Sequence, residues 1–205
     1  MEYLKLLPKN REITVIFDGF EHCTKDHEHK RRVKAFCANI AVKKSTFCTV
    51  TKTTFLSNNN NKKELIDLIS SIFTVNGIEV IRACNDADTL IAKKTLEMSF
   101  HGDVELKAED TDIVCLLVHH FNSDHHNDIY LTTKKGTYSI KEISSHLDHK
   151  EKEILLIIHS ISGCDSVSGL FGFSKVKVLK KALTFDEQGQ LATLLSVRES
   201  KEKII

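Results

Sequence analysis

Six aspartates have neighbours and spacings that suit chemistry: Asp18, Asp86, Asp88, Asp110, Asp112 and Asp165. Asp18 closes the apolar run "EITVIF". Asp86 and Asp88 form a D-A-D shortly after "IEVIRA", and Asp110 and Asp112 form the D-T-D of "AEDTDIVCLLVHH". Asp165 stands in "SGCDSVSG". Carboxylates beside segments that must be buried are costly unless something positive meets them. If they converge at roughly 5 Å, with an effective dielectric of about 20, each like-charged pair costs about 3 kcal/mol. Protonation or bound cations would relieve that repulsion. An all-oxygen ligand set suits Mg²⁺ or Mn²⁺ rather than zinc. Two such ions about 4 Å apart serve phosphoryl hydrolysis by stabilising the attacking and leaving oxygens. The plainer reading of any one of these acids is a helix cap that also favours the helix dipole. A D-x-D pair strains that reading, because one residue suffices at the cap and the second falls in the first turn.

The surrounding pattern supplies the elements that would position these acids. β-rich runs predict strands at 12–17, 46–55, 77–83, 103–108 and 128–133. Helices are expected over 25–44, after the polar loop 57–63 in "ELIDLISSIF", over "DADTLIAKKTLEM", over "IVCLLVHHF" and over 149–164. Residues 137–147 are mixed, and 169–183 read as a glycine-containing turn into a basic helix. Strands alternating with helices imply an α/β fold with a mostly parallel sheet covered on both faces. Ligands in such sheets bind outside the carboxyl ends of the strands. Asp18, the Asp86–Asp88 pair and the Asp110–Asp112 pair all fall at such ends.

Composition narrows the class. Of 205 residues, 41% are hydrophobic and 28% charged, which is ordinary for a globular chain. Net charge is +1, so any nucleic-acid surface must be a local basic patch. The six cysteines are scattered without a C-x-x-C and read as reduced, which suits an intracellular protein, nuclear or cytoplasmic. The N-terminal residues hold no signal-peptide core, and the longest run of large aliphatics, "ILLII", is far too short to span a membrane.

The ordered motifs resemble the flap-endonuclease (5′-nuclease) branch of the PIN-like nuclease superfamily. "VIFDGF" looks like the family's strand end, "CNDADTLIAKK" like its E-A-E motif with Asp for Glu, and "AEDTDIVCLL" like its D-x-D motif. "SISGCDSVSGLFGFSKVKVLKKAL" resembles its helix–three-turn–helix, which opens on a metal-binding Asp. A nearer likeness is to uncharacterised, multiplied animal proteins carrying D-T-D and T-G-C-D-T motifs, here "DTDIVC" and "HSISGCDSVS". The resemblance covers about residues 12–183. It implies a three-layer PIN-like domain over 1–185 and metal-dependent phosphodiester hydrolysis of nucleic acid, DNA before RNA; residues 186–205 read from their own pattern as a helical tail ending in solvated charge. Asp18, Asp86, Asp88, Asp110, Asp112 and Asp165 would be the catalytic metal carboxylates. Asp86 and Asp88 would hold one Mg²⁺ or Mn²⁺, and Asp110, Asp112 and Asp165 the other.

The resemblance also places a basic gateway after the "FDG" strand, here Lys25, Lys30, Arg31, Arg32 and Lys34. Lys93, Lys94, Lys175 and Lys177 would be further phosphate contacts. A solvated helix face explains 25–34 equally well, since Asp26 and Glu28 lie among the bases. The chain departs from the family pattern in three places. No strand bearing a further metal Asp precedes "EITVIF", Ser174 stands where a hairpin glycine is expected, and Asp replaces Glu at 86 and 88. These departures motivate a second reading, a catalytically inactive PIN-like module that binds nucleic acid or a protein. Two histidine clusters, "HCTKDHEH" and "HHFNSDHH", raise a zinc site but lack a structural zinc spacing. His159 reads as a packed, hydrogen-bonded histidine that could approach the acids.

Overall fold

The computed structural model describes residues 11–19, 38–47, 49–84 and 87–162, with side chains described to 159. The chain divides after Leu90 into two compact units. The first holds the parallel strands β1 (Thr14–Phe17) and β2 (Glu79–Arg82), paired in the register Val15 to Val80. Thr14 Oγ1 donates to Glu79 Oε2 across the pair at 2.7 Å. Between the strands run α1 (Lys52–Leu56) and α2 (Asn59–Val75). Phe55 and Ile66 give these helices their buried positions, beside Ile78 and Ala83 at the ends of β2. Arg82 ties β2 to α2 through Asp67 and Ser70.

Two stretches of this unit differ from expectation. The described residues of 46–55 form no strand; 46–47 and 49–51 are irregular and the chain is helical from Lys52. Their β-branched residues suggest a strand, but Thr51 caps a helix by accepting from the Thr54 amide. The polar run at 57–63 is not a loop either. Asn58 caps α2 by accepting from the amides of Asn60 and Asn61, and helix begins at Asn59. Asn61 is fully buried, where its Oδ1 accepts from Ile40 N at 2.7 Å and its Nδ2 donates to Ala38 O at 3.0 Å. That amide fork holds 38–40 as irregular chain, so the helix expected over 25–44 does not extend through 38–44.

The second unit begins within α3 (Asp88–Ser99) and continues through β3 (Val104–Lys107), α4 (Thr111–His120), β4 (Ile129–Thr133), β5 (Gly136–Ser139), α5 (Ile140–Ser145) and α6 (His149–Ser162). β3 and β4 are parallel, with Leu106 opposite Leu131. β5 returns antiparallel beside β4 through a two-residue turn, where Gly136 adopts φ +147°. A single Cα without a side chain accepts that conformation most readily. Exposed Glu105, Lys107 and Tyr130 alternate with more buried residues along β3 and β4. These strands therefore present one solvated face, not the two covered faces expected of a buried parallel sheet. The core packs Leu117, Val118 and Ile113 of α4 against Ile129, Leu131, Ile140 and Ala92.

Capping residues set the helix starts in this unit. Ser139 accepts from Glu142 N at 2.9 Å to open α5. Asp148 and Glu151 exchange side chain–backbone bonds at 2.8 and 2.9 Å, a reciprocal capping box that opens α6. The mixed segment 137–147 resolves into the end of β5 and α5.

Candidate functional site

Four of the six candidate aspartates are described: Asp18 follows β1, and Asp88, Asp110 and Asp112 stand at the starts of the helices that follow β2 and β3. In the first unit, Asp18 follows β1, and its Oδ1 accepts from Ala87 N at 3.1 Å. Ala87 is buried and immediately precedes α3, whose first turn carries Asp88. Asp18 thus satisfies an amide at a helix start from a distant strand end, where a negative charge also favours the helix dipole. Asp86 lies outside the described residues.

In the second unit, Asp110 is the N-cap of α4, in extended geometry with φ −84° and ψ 134°. Its Oδ1 accepts from Asp112 N at 2.9 Å. The second acid, Asp112, therefore occupies the first helical turn. Asp112 is mostly buried, and its Oδ1 lies 2.8 Å from His159 Nε2. An ionised carboxylate only accepts, so Nε2 carries the proton and donates. Glu109 turns elsewhere: its Oε1 accepts from Lys134 N at 3.0 Å, and its Oε2 lies 3.9 Å from Lys134 Nζ. The three acids of "AEDTD" thus meet three different partners, a helix amide, an imidazole and a hairpin turn.

Beside Asp110 lies an open depression of about 490 Å³, lined by Lys107, Glu109, Thr111, Ile91 and Ile113 as well as Asp110. Lys107 contributes a positive charge that the D-x-D pattern gave no reason to single out. Lys93 is exposed on α3, with Glu97 Oε1 4.0 Å from its Nζ, and Lys94 is half-buried on the same helix. Asp165, Lys25, Lys30, Arg31, Arg32, Lys34, Lys175 and Lys177 lie outside the described residues, as do Ser174 and the helix–three-turn–helix segment.

Among the described residues, no three His, Cys, Asp or Glu side chains gather closely enough to hold a metal ion. The donor chemistry still suits Mg²⁺ or Mn²⁺, since the candidates are all carboxylates at strand ends. At the second histidine cluster, His119 and His126 are engaged with other partners. His119 Nδ1 donates to Lys152 O at 2.8 Å. Ser99 Oγ donates to Leu96 O at 2.7 Å, so His126 Nδ1, 2.9 Å away, donates to Ser99 Oγ. Burial pushes the His126 pKa below the usual histidine value, with the charge of His125 adding to it against an opposing bond to the Leu96 backbone. Nearby, Asp128 and then Asp103 push the Tyr130 phenol up. Those two acids also hold the surrounding chain: Asp128 accepts from Ile129 N, Lys141 N and Ser139 Oγ, and Asp103 from Asp128 N.

No protein-family model, no curated protein and no solved structure matches the chain. No helix among the described residues is long and apolar enough to cross a membrane.

Proposed function

We propose that this chain is a PIN-like, divalent-metal-dependent nuclease domain acting on phosphodiester bonds. The supporting observation is the position of Asp18, Asp88, Asp110 and Asp112 beyond the carboxyl ends of the parallel strands β1, β2 and β3, with Asp88 and Asp110 at the starts of α3 and α4. Asp86 and Asp88 would hold one Mg²⁺ or Mn²⁺. Asp110, Asp112 and Asp165 would hold the other. The ions supply Lewis acidity and a nucleophilic hydroxide when bound. The chain's own part is positional. β3 and α4 fix Asp110 and Asp112 on rigid structure through the N-cap and the buried Ile113 and Leu117 behind it. Lys93 and Lys94 on α3 would meet the phosphates, as would the basic stretches at 25–34 and 175–177.

A second reading has its own support. Asp18 and Asp110 each spend an oxygen on a helix-start amide, and Asp112 spends one on His159. Carboxylates so engaged also suit a catalytically silent module that binds nucleic acid through salt-sensitive phosphate contacts. Incubating the protein with end-labelled flap, single-stranded and RNA substrates in Mn²⁺ separates the two. Cleavage lost in EDTA and in Asp110→Ala/Asp112→Ala supports the nuclease. Salt-sensitive binding without cleavage, indifferent to metal, supports the module.

A further inference from the structure

We propose that His159 is a positioning residue for Asp112, its Nε2–H fixing the orientation in which that carboxylate meets a divalent cation. The inference rests on the metal-dependent reading above and adds a residue to it. The Asp112–His159 contact joins residues 47 apart in sequence, at 2.8 Å, with side chains only 18% and 10% exposed. Water therefore competes little for either partner.

The contact is one of two that bracket a single helix pair. His119, seven residues along α4 from Asp112, donates to the carbonyl of Lys152, seven residues before His159 on α6. Seven residues are close to two helical turns, so α4 and α6 run antiparallel with a histidine tie two turns apart on each. Between the ties lie buried Leu117 and Val118 of α4 and Ile154 and Ile158 of α6. Helix against helix, this packing leaves Asp112 little freedom to rotate once His159 holds Oδ1. Asp110 adds a third restraint by accepting the Asp112 amide. A carboxylate held by its N-cap neighbour, its helix and an imidazole is pre-oriented. Removing such an outer partner typically costs 10- to 100-fold in metal affinity.

The test is Mn²⁺ affinity, read from the electron paramagnetic resonance signal of the free ion at one fixed pH above neutrality. Wild type, Asp112→Asn, His159→Leu, His159→Gln and His159→Asn are compared, with metal-free thermal unfolding as the check on folding. A Gln amide nitrogen reaches about as far as the histidine Nε2, and an Asn amide falls short. His159→Gln is expected to bind within about threefold of wild type, and His159→Leu and His159→Asn about 10- to 100-fold more weakly. Folded His159→Leu with wild-type affinity overturns the proposal, because a merely structural tie moves the melting temperature alone. If His159→Leu does not fold, equal affinity in the Gln and Asn variants overturns it instead. Wild type that binds no Mn²⁺, or Asp112→Asn that binds as wild type does, overturns the metal reading and the proposal with it. Loss in Asp112→Asn with full affinity in His159→Asn sinks the positioning role alone.

Discussion

Asp110 has two jobs in this account, and one pair of substitutions separates them. Its Oδ1 caps α4 by accepting from Asp112 N at 2.9 Å, and its charge contributes to a cation site. Alanine removes both. A lost N-cap of this kind costs about 1 kcal/mol, which for a chain of this size lowers the metal-free Tm by about 2–4 °C. Asparagine keeps the capping oxygen and removes the charge. Asn and Asp cap about equally. The lost charge at a helix N-terminus costs about 0.3–1 kcal/mol, partly offset by relief of repulsion from Asp112. Asp110→Asn should therefore melt close to wild type without metal. Saturating Mn²⁺ at about 100 times its dissociation constant stabilises a folded protein by about 2.7 kcal/mol, or about 5–10 °C here. That increment should be present in wild type and largely absent from both variants. The assay is thermal unfolding by circular dichroism in EDTA and in Mn²⁺. An Asp110→Ala protein that melts as wild type does in EDTA refutes the cap. An Asp110→Asn protein that keeps its Mn²⁺ increment refutes the ligand role.

Asn61→Ala removes the bonds to Ile40 N and Ala38 O and should lower stability by about 1–3 kcal/mol in urea unfolding. Leu117→Ala, at a fully buried core position, should cost about 3 kcal/mol in the same measurement. His126 has a folded pKa below the ordinary 6.5. The unfolded chain therefore takes up that proton first as pH falls, and stability drops as pH passes downward through about 6.5. Between neutral pH and about pH 5.5, wild type should lose more thermal stability than His126→Gln, and parallel melting curves for the two would contradict this.

The parts of the fold legible in the sequence are those where one local rule dominates. The apolar run after D-T-D is α4, and "IEVIRA", "DVELKA" and "DIYLTT" contain β2, β3 and β4. Segment 46–55 misleads because its β-branched residues suggest strand while a single Thr51 cap decides for helix. The asparagine run misleads because polarity suggests loop, yet Asn58 is a cap and Asn61 is buried against 38–40 through bonds only the fold reveals. The mostly parallel pairing expected is met by β1–β2 and β3–β4, in two separate sheets, and the hairpin adds β5 antiparallel beside β4. The S-x-x-E and D-x-x-E signatures at Ser139 and Asp148 were readable as helix starts. At the site, the strand-end placement of Asp18, Asp88, Asp110 and Asp112 follows from the pattern of runs. The pairing of Asp112 with His159 does not, because no local rule links residues so far apart.

The central claim is that these aspartates hold divalent cations. Crystals grown with Mn²⁺ and measured near the manganese absorption edge would locate the ions by their anomalous signal. The account predicts one peak against Asp110 and Asp112 and another against Asp86 and Asp88. Carboxylates standing apart as separate helix caps, with no manganese peak at either set, would contradict it.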